Sequence, residues 1–223
     1  MPPNQRMENS LRVQGFNLIA GVDEVGVGSL AGPVLAAAVI FSATIKTKNI
    51  DDSKKLSAAK RNELFSKILR EALSIGVGIV DWKTIDRLNI LKASHLAMRL
   101  AIDALKPVPE YVLVDGKYPI KIKIPQLQLC GGDSKCTSIA AASIVAKVLR
   151  DKIMVEFDRM FSGYGFKYNK GYGTRTHLND LKRFGPCPIH RRSYLPVKCA
   201  LKIHNPLDFE REALYNLYKG GEI

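Results

Sequence analysis

Long apolar runs are missing from this 223-residue chain: none reaches the ~18 residues that a membrane-spanning helix requires. The opening stretch Met1–Ser10 is polar and lacks the apolar centre of a secretory signal. Together these absences lead to the expectation of a cytoplasmic protein without membrane contact. Cysteine is scarce as well. Cys130, Cys136, Cys187 and Cys199 are scattered without the C-x-x-C or Cys/His spacing of a zinc site, so they are read as reduced thiols in core or surface positions. The four histidines are not expected to pair with them. Acidic residues are in deficit, with 21 Asp and Glu against 34 Lys and Arg, and the resulting charge of +13 favours a polyanionic partner. Nucleic acid comes first and an anionic membrane second. No repeat, linker or low-complexity tract interrupts the chain, which is long enough for one sizeable core and a small appendage.

What is present centres on Ile19-Ala20-Gly21-Val22-Asp23-Glu24-Val25-Gly26-Val27-Gly28, followed by Ser29-Leu30-Ala31-Gly32-Pro33. An apolar strand runs out at two adjacent carboxylates. Strand neighbours point to opposite faces, so Asp23 and Glu24 can converge only if the chain bends there. The glycines that follow permit a bend and allow backbone N–H groups to approach a ligand. Val34–Phe41 is a second apolar run of strand length, read as the hairpin partner of the first. The segment Gly26–Ala31 also fits G-x-G-x-x-A, a dinucleotide fingerprint, but that motif requires a helix next. Pro33 and a strand-like run stand there instead. A plain solvated turn is the remaining simple alternative.

Residues 1–17 are read as a loose leader, 18–200 as the main domain and 201–223 as a C-terminal helical extension. Ser57 is the expected N-cap of a helix to about Leu73, burying Leu64, Phe65, Ile68, Leu69 and Ala72. Ile75–Asp81 reads as a strand. A short helix near Lys83–Leu88 precedes a longer one from Leu91 to Leu105. Its stripe Leu88, Leu91, His95, Met98, Ile102, Leu105 makes His95 a packed core histidine. Tyr111–Asp115 and Leu127–Cys130 are further short strands. An alanine-rich helix is expected from about Lys135 to Met160, and others over 176–184 and 205–218. Strands followed by strands alternating with helices predict an α/β fold with a mixed central sheet.

Carboxylates stand at three strand ends or just beyond them: Asp23 with Glu24, Asp115, and Asp133. Strand ends are where α/β sheets gather ligands. An all-oxygen set suits a hard cation, Mg²⁺ or Mn²⁺. Asp133 as a helix cap and Asp115-Gly116 as a simple turn are the competing readings. Two such ions, roughly 3.5–4 Å apart, would clamp a phosphodiester from both sides. The segment from Gly163 to Arg175 interleaves aromatics, glycines and bases, and supplies candidate phosphate and stacking contacts.

These blocks closely resemble the ribonuclease HII family. The resemblance rests on Gly21-Val22-Asp23-Glu24 with Gly32-Pro33, Asp52-Ser53-Lys54-Lys55-Leu56, Val114-Asp115-Gly116 and Gly132-Asp133-Ser134-Lys135. Ser138 through Asp151, Lys170-Gly171-Tyr172-Gly173-Thr174, and Gly185-Pro186 through Ser193 carry it further. It spans roughly residues 18–195. It implies a ribonuclease H-like fold and a divalent-metal site of Asp23, Glu24, Asp115 and Asp133. It also implies hydrolysis of the RNA strand of RNA/DNA hybrids and nicking 5′ of ribonucleotides in duplex DNA, leaving 5′-phosphate and 3′-hydroxyl ends. The implied nucleic-acid contacts are Gly26, Val27, Gly28, Lys54, Lys55, Lys170, Tyr172, Arg175, His190, Arg191, Arg192 and Ser193. A monomer is expected, and no feature either requires or rules out a sliding-clamp partner. Two positions depart from the family pattern. Val27 replaces the arginine of its usual Gly-Arg-Gly loop, and Lys117 stands where asparagine is usual. The sister family, ribonuclease HIII, usually has an extra N-terminal domain and a glutamate at the fourth acidic position. The 22 residues before Asp23 and the aspartate at 133 favour HII. A non-catalytic nucleic-acid binder with a decayed site is the alternative from another class.

Overall fold

A computed structural model describes residues 2–42 and 56–204. Five strands form one mixed sheet in the order β3-β2-β1-β4-β5. They are β1 (Ile19–Val25), β2 (Val34–Phe41), β3 (Ala72–Val80), β4 (Tyr111–Asp115) and β5 (Gln126–Leu129). β1 pairs antiparallel with β2 and parallel with β4, in the register Val22 to Val114. β2 with β3 is antiparallel, and β4 with β5 is parallel. The helices are α1 (Arg6–Val13), α2 (Ala58–Glu71), α3 (Trp82–Leu88), α4 (Ile90–Asp103), α5 (Thr137–Met160), α6 (Phe166–Asn169), α7 (Arg175–Phe184) and α8 (Leu195–His204). No described helix is long and apolar enough to cross a membrane.

The run Val34–Phe41 has no polar residue, and β2 is buried at all eight positions. Its side chains Leu35, Ala37, Val39 and Phe41 share a core with Leu64 and Ile68 of α2 and with Ala140–Ala142, Ile144, Val145 and Val148 of α5. Each large aliphatic buried there contributes about 1.5–3 kcal/mol, more than propensity alone gives a 14-residue helix. Ser57 caps α2 as its sequence suggests, accepting the Lys60 N–H at 3.2 Å. Leu69, expected inside, is 52% exposed, and Ala72 begins β3 instead of ending the helix. On α4 the buried face is built from Ala93, Ala97, Met98, Ala101 and Ile102. The expected stripe member Leu91 is exposed and His95 only half-buried.

The leader is structured. α1 sends Glu8 into the interior, where its Oε1 accepts from the Ser138 N–H at 2.9 Å and the Ser138 hydroxyl at 2.8 Å. Both donors lie in the first turn of α5, where backbone N–H groups lack helical partners. The same turn lies directly on β1, because a Cβ on Gly21 would collide with the backbone of Ser138 and Ile139.

Contacts divide the chain into two compact units. The first comprises Met1–Val27 and Pro33–Ile153, and holds the whole sheet. The second comprises Gly28–Gly32 and the described residues from Met154 onward. Its core joins Leu30 to Leu181 of α7 and to Val197 and Ala200 of α8. α8 was not expected from the sequence. Pro196 in its first turn and the spacing of Val197, Ala200 and Leu201 are the signals for it. The helix expected over 205–218 lies outside the described residues.

Candidate active site

Parallel pairing of β1 with β4 fixes where the first two carboxylates stand. Asp23 and Asp115 each follow the last paired residues, Val22 and Val114, at the same end of neighbouring strands. Asp133 arrives from the turn after β5, in a short 3₁₀ segment (Gly132–Ser134) entered through left-handed Gly131. The Gly132 N–H donates to Asp115 Oδ1 at 2.7 Å, so the turn that carries Asp133 also orients Asp115. Carboxylate oxygens of Asp23, Asp115 and Asp133 all lie within 4.8 Å of one another. Asp23 and Asp133 are each 4% exposed.

Glu24 is not among these three. β1 continues to Val25, and Glu24 is still paired with Ala36, so the chain does not bend between the two acids. Consecutive strand residues face opposite ways, and Glu24 is half-buried beside the cluster. Its own N–H donates to Asp23 Oδ1 at 2.7 Å. Its charge still acts on Asp23. That carboxyl is pushed well above its ordinary range, first by burial, then by the charges of Glu24 and Asp115, while a hydrogen bond from Ser143 pulls the other way. Like charges this close are unfavourable unless protonated or neutralised by a cation. An oxygen-only donor set at this spacing fits a hard divalent ion.

Within the first unit, the two residues that flank the Val27–Gly32 segment both meet Arg150. Gly26 has φ +92° and no room for a Cβ, which would strike the Arg150 side chain. Arg150 is fully buried and donates from Nε to the Pro33 carbonyl at 2.9 Å, so one guanidinium braces both ends of the Val27–Gly32 segment. Sequence reasoning assigned Arg150 no role of its own. Val27 is 38% exposed, and Gly28 faces open space.

Within the second unit, Ser29 and Ala31 bridge to Tyr172 and His190. Leu30 N–H donates to the Gly171 carbonyl at 2.8 Å, and Gly32 N–H to that of Ile189 at 2.9 Å. Arg191 was expected to meet nucleic acid. It is fully buried, with Nε donating to the Gly32 carbonyl at 3.1 Å and Nη1 to the Tyr194 hydroxyl at 3.0 Å. His190, in the same expectation, is 1% exposed. Its Nδ1 accepts the Cys187 N–H at 3.0 Å, so its Nε2 carries the proton toward His177 Nε2 at 3.1 Å. His177 Nδ1 then donates to the Tyr172 carbonyl at 2.8 Å. Burial lowers the pKa of both rings, that of His190 to about 4 with help from His177. The outcome is a chain of neutral imidazoles ending on the backbone of Tyr172. Cys187 Sγ lies 3.1 Å from His190 Nδ1. His177 was missed, since nothing near it in sequence marks it.

Arg175, Arg192 and Ser193 are exposed, while Lys170 and Tyr172 are half-buried. Thr174 caps α7, its Oγ1 accepting the His177 N–H, which sets Arg175 at the first helical position. Lys54 and Lys55 lie outside the described residues.

The family model and the curated relatives agree on one family. The ribonuclease HII family model matches residues 20–197. A ribonuclease HII of Listeria innocua is 53% identical over 200 residues, covering 90% of this chain and 76% of its own length. One from Geotalea daltonii is 51% identical over 197 residues, covering 88% and 91%. Among solved structures, ribonuclease H2 of Pyrococcus horikoshii superposes with a TM-score of 0.69 at 25% identity, covering 82% of this chain and 96% of its own. Ribonuclease HII of Archaeoglobus fulgidus, solved in complex with PCNA, gives 0.65 at 25% identity, covering 80% and 96%. The chain therefore belongs to the ribonuclease HII family and is, as a member, a metal-dependent endoribonuclease.

Proposed function

We propose that the chain cuts the RNA strand of RNA/DNA hybrids and nicks duplex DNA on the 5′ side of an embedded ribonucleotide, leaving 5′-phosphate and 3′-hydroxyl ends. This chemistry would start the removal of ribonucleotides left by replication. The observation that carries the reading is the convergence of Asp23, Asp115 and Asp133 at parallel strand ends. With Glu24 beside them, they would hold Mg²⁺ or Mn²⁺. Bound there, divalent ions supply a lowered water pKa and charge stabilisation of the departing oxygen. The chain's own residues do the rest. Gly132 fixes the orientation of Asp115. Burial of Asp23 excludes bulk water and strengthens each electrostatic contact it makes.

Each unit carries residues suited to substrate contacts. Backbone donors around Gly26 and Gly28 would read the ribose 2′-hydroxyl, the group that separates RNA from DNA. Tyr172, its carbonyl held by the imidazole chain, would pack on the adjoining nucleotide. Lys170, Arg175, Arg192 and Ser193 would take backbone phosphates, which set position and not base identity. His190 and Arg191 would act from inside, by holding the segments that carry those contacts.

A second reading, hybrid cleavage without junction preference, is favoured by Val27 alone. One substrate pair separates the two. On a duplex with a single ribonucleotide, and with Mg²⁺ or Mn²⁺ supplied, the enzyme is expected to cut once, 5′ of that residue. Cleavage restricted to a continuous hybrid, even at saturating enzyme, would leave the second reading. Failure to cut either duplex would overturn both.

A further inference from the structure

The first unit also contains a pocket of about 250 Å³ that none of the clustered carboxylates lines, and its charged lining is wholly basic. Lys92, His95 and Arg99 stand at i, i+3 and i+7 on α4, one face of a helix, and Lys121 closes the cavity from the β4–β5 connection. Leu96 and Ile120 provide apolar lining. The Lys121 side is held in place. Gln126 clamps the preceding residue, accepting the Ile120 N–H at 2.8 Å and donating to the Ile120 carbonyl at 2.8 Å. Ile120 itself is 3% exposed. Among the described residues, no carboxylate pairs with Lys92, Arg99 or Lys121.

We propose that this pocket binds a phosphate group. Three cations gathered without a counter-charge repel one another, and an anion between them relieves that repulsion. The guanidinium fork of Arg99 suits bidentate phosphate recognition, and the lysines add point charges. The volume lies below the ~300–1,000 Å³ usual for a whole small-molecule ligand, so a phosphate with little attached fits it better than a complete nucleotide cofactor. The phosphate could be free in solution, or a phosphodiester of a bound nucleic-acid strand. The second source rests on the nuclease reading above, and the first does not.

The experiment uses the full chain and the double variant Arg99→Gln with Lys121→Gln, both at exposed positions. The His95 ring resonances are followed by NMR as inorganic phosphate is added at fixed pH and ionic strength. In parallel, the salt dependence of hybrid-duplex binding is measured. A saturable His95 shift in wild type that is absent from the variant establishes a free-phosphate site. No such shift, with a salt slope smaller by about one to two counterions in the variant, establishes a backbone-phosphate site. A His95 signal unmoved by phosphate together with an unchanged salt slope overturns the proposal. Absence of wild-type cleavage would count against the nuclease reading and leave the phosphate titration to be judged separately.

Discussion

Charge is buried in both units of this molecule, but to opposite ends. In the first unit, Asp23 and Asp133 are enclosed beside Asp115, acid against acid, at a spacing that a divalent cation would relieve. In the second, Arg191 is enclosed against carbonyl and hydroxyl oxygens, and His177 and His190 are held neutral by burial, their ring nitrogens linked in a chain that ends on the backbone. The first arrangement sets like charges side by side, which a divalent cation would relieve, and therefore suits chemistry. The second is satisfied internally and therefore suits scaffolding. Basic motifs in a sequence do not separate the two roles, because an arginine inside and an arginine outside are written identically. Arg191 and Arg192 are adjacent, yet one is fully buried and the other exposed.

The largest effect expected from breaking the scaffold is on stability. His190→Ala removes the acceptor of the Cys187 N–H and the partner of His177, and should cost about 2–3 kcal/mol near neutral pH. The pH dependence has a definite sign. A histidine titrates near 6.5 when unfolded, whereas folded His190 is held near 4. Below about pH 6.5 the unfolded chain takes up protons that the folded chain refuses, so the stability present above 6.5 is lost as pH falls toward 4. For His190 that loss approaches about 3 kcal/mol. Denaturant melts at several pH values should show a shallower slope in the variant than in wild type. Equal slopes would contradict the neutral-imidazole account.

A smaller effect is expected where α1 meets α5 within the first unit. Glu8→Ala uncaps the first turn of α5 and should lower stability by about 1–2 kcal/mol, leaving the cleavage rate at saturating enzyme unchanged. A thermal melt unchanged by this substitution would show that the Glu8 cap contributes nothing to the fold. Smallest is Val27→Arg. Adding one charge-assisted phosphate bond at this exposed position should tighten binding to a single-ribonucleotide duplex by about tenfold, without moving the cut. Unchanged or weaker binding would remove the loop from the substrate contacts.

Most of the fold was legible because apolar patterning and turn residues are local. Ser57, the β2 run and the alanine-rich α5 declare themselves within a few residues. α1 was not legible, since it is fixed by a carboxylate reaching a turn 130 positions away. The clustered aspartates were visible as acids at strand ends. The separation of Glu24 from the other three was not, because it depends on β1 staying extended one pair further than the glycines suggested. The imidazole chain was equally hidden. His177 and His190 are 13 residues apart, and only the turn around Cys187 and the start of α7 bring their rings to 3.1 Å.

The division of labour between the units is tested most directly by measuring single-turnover cleavage at saturating enzyme and Kd on one hybrid duplex, with Mg²⁺ present. Asp115→Asn keeps the shape and the acceptor for the Gly132 N–H but removes a charge from the cluster. Its cleavage rate should fall by about a thousandfold or more while Kd changes little. Arg175→Gln combined with Arg192→Gln should do the reverse, weakening Kd by about tenfold or more and leaving the saturated rate intact. Near wild-type cleavage by Asp115→Asn would contradict the assignment of the acidic cluster as the catalytic centre.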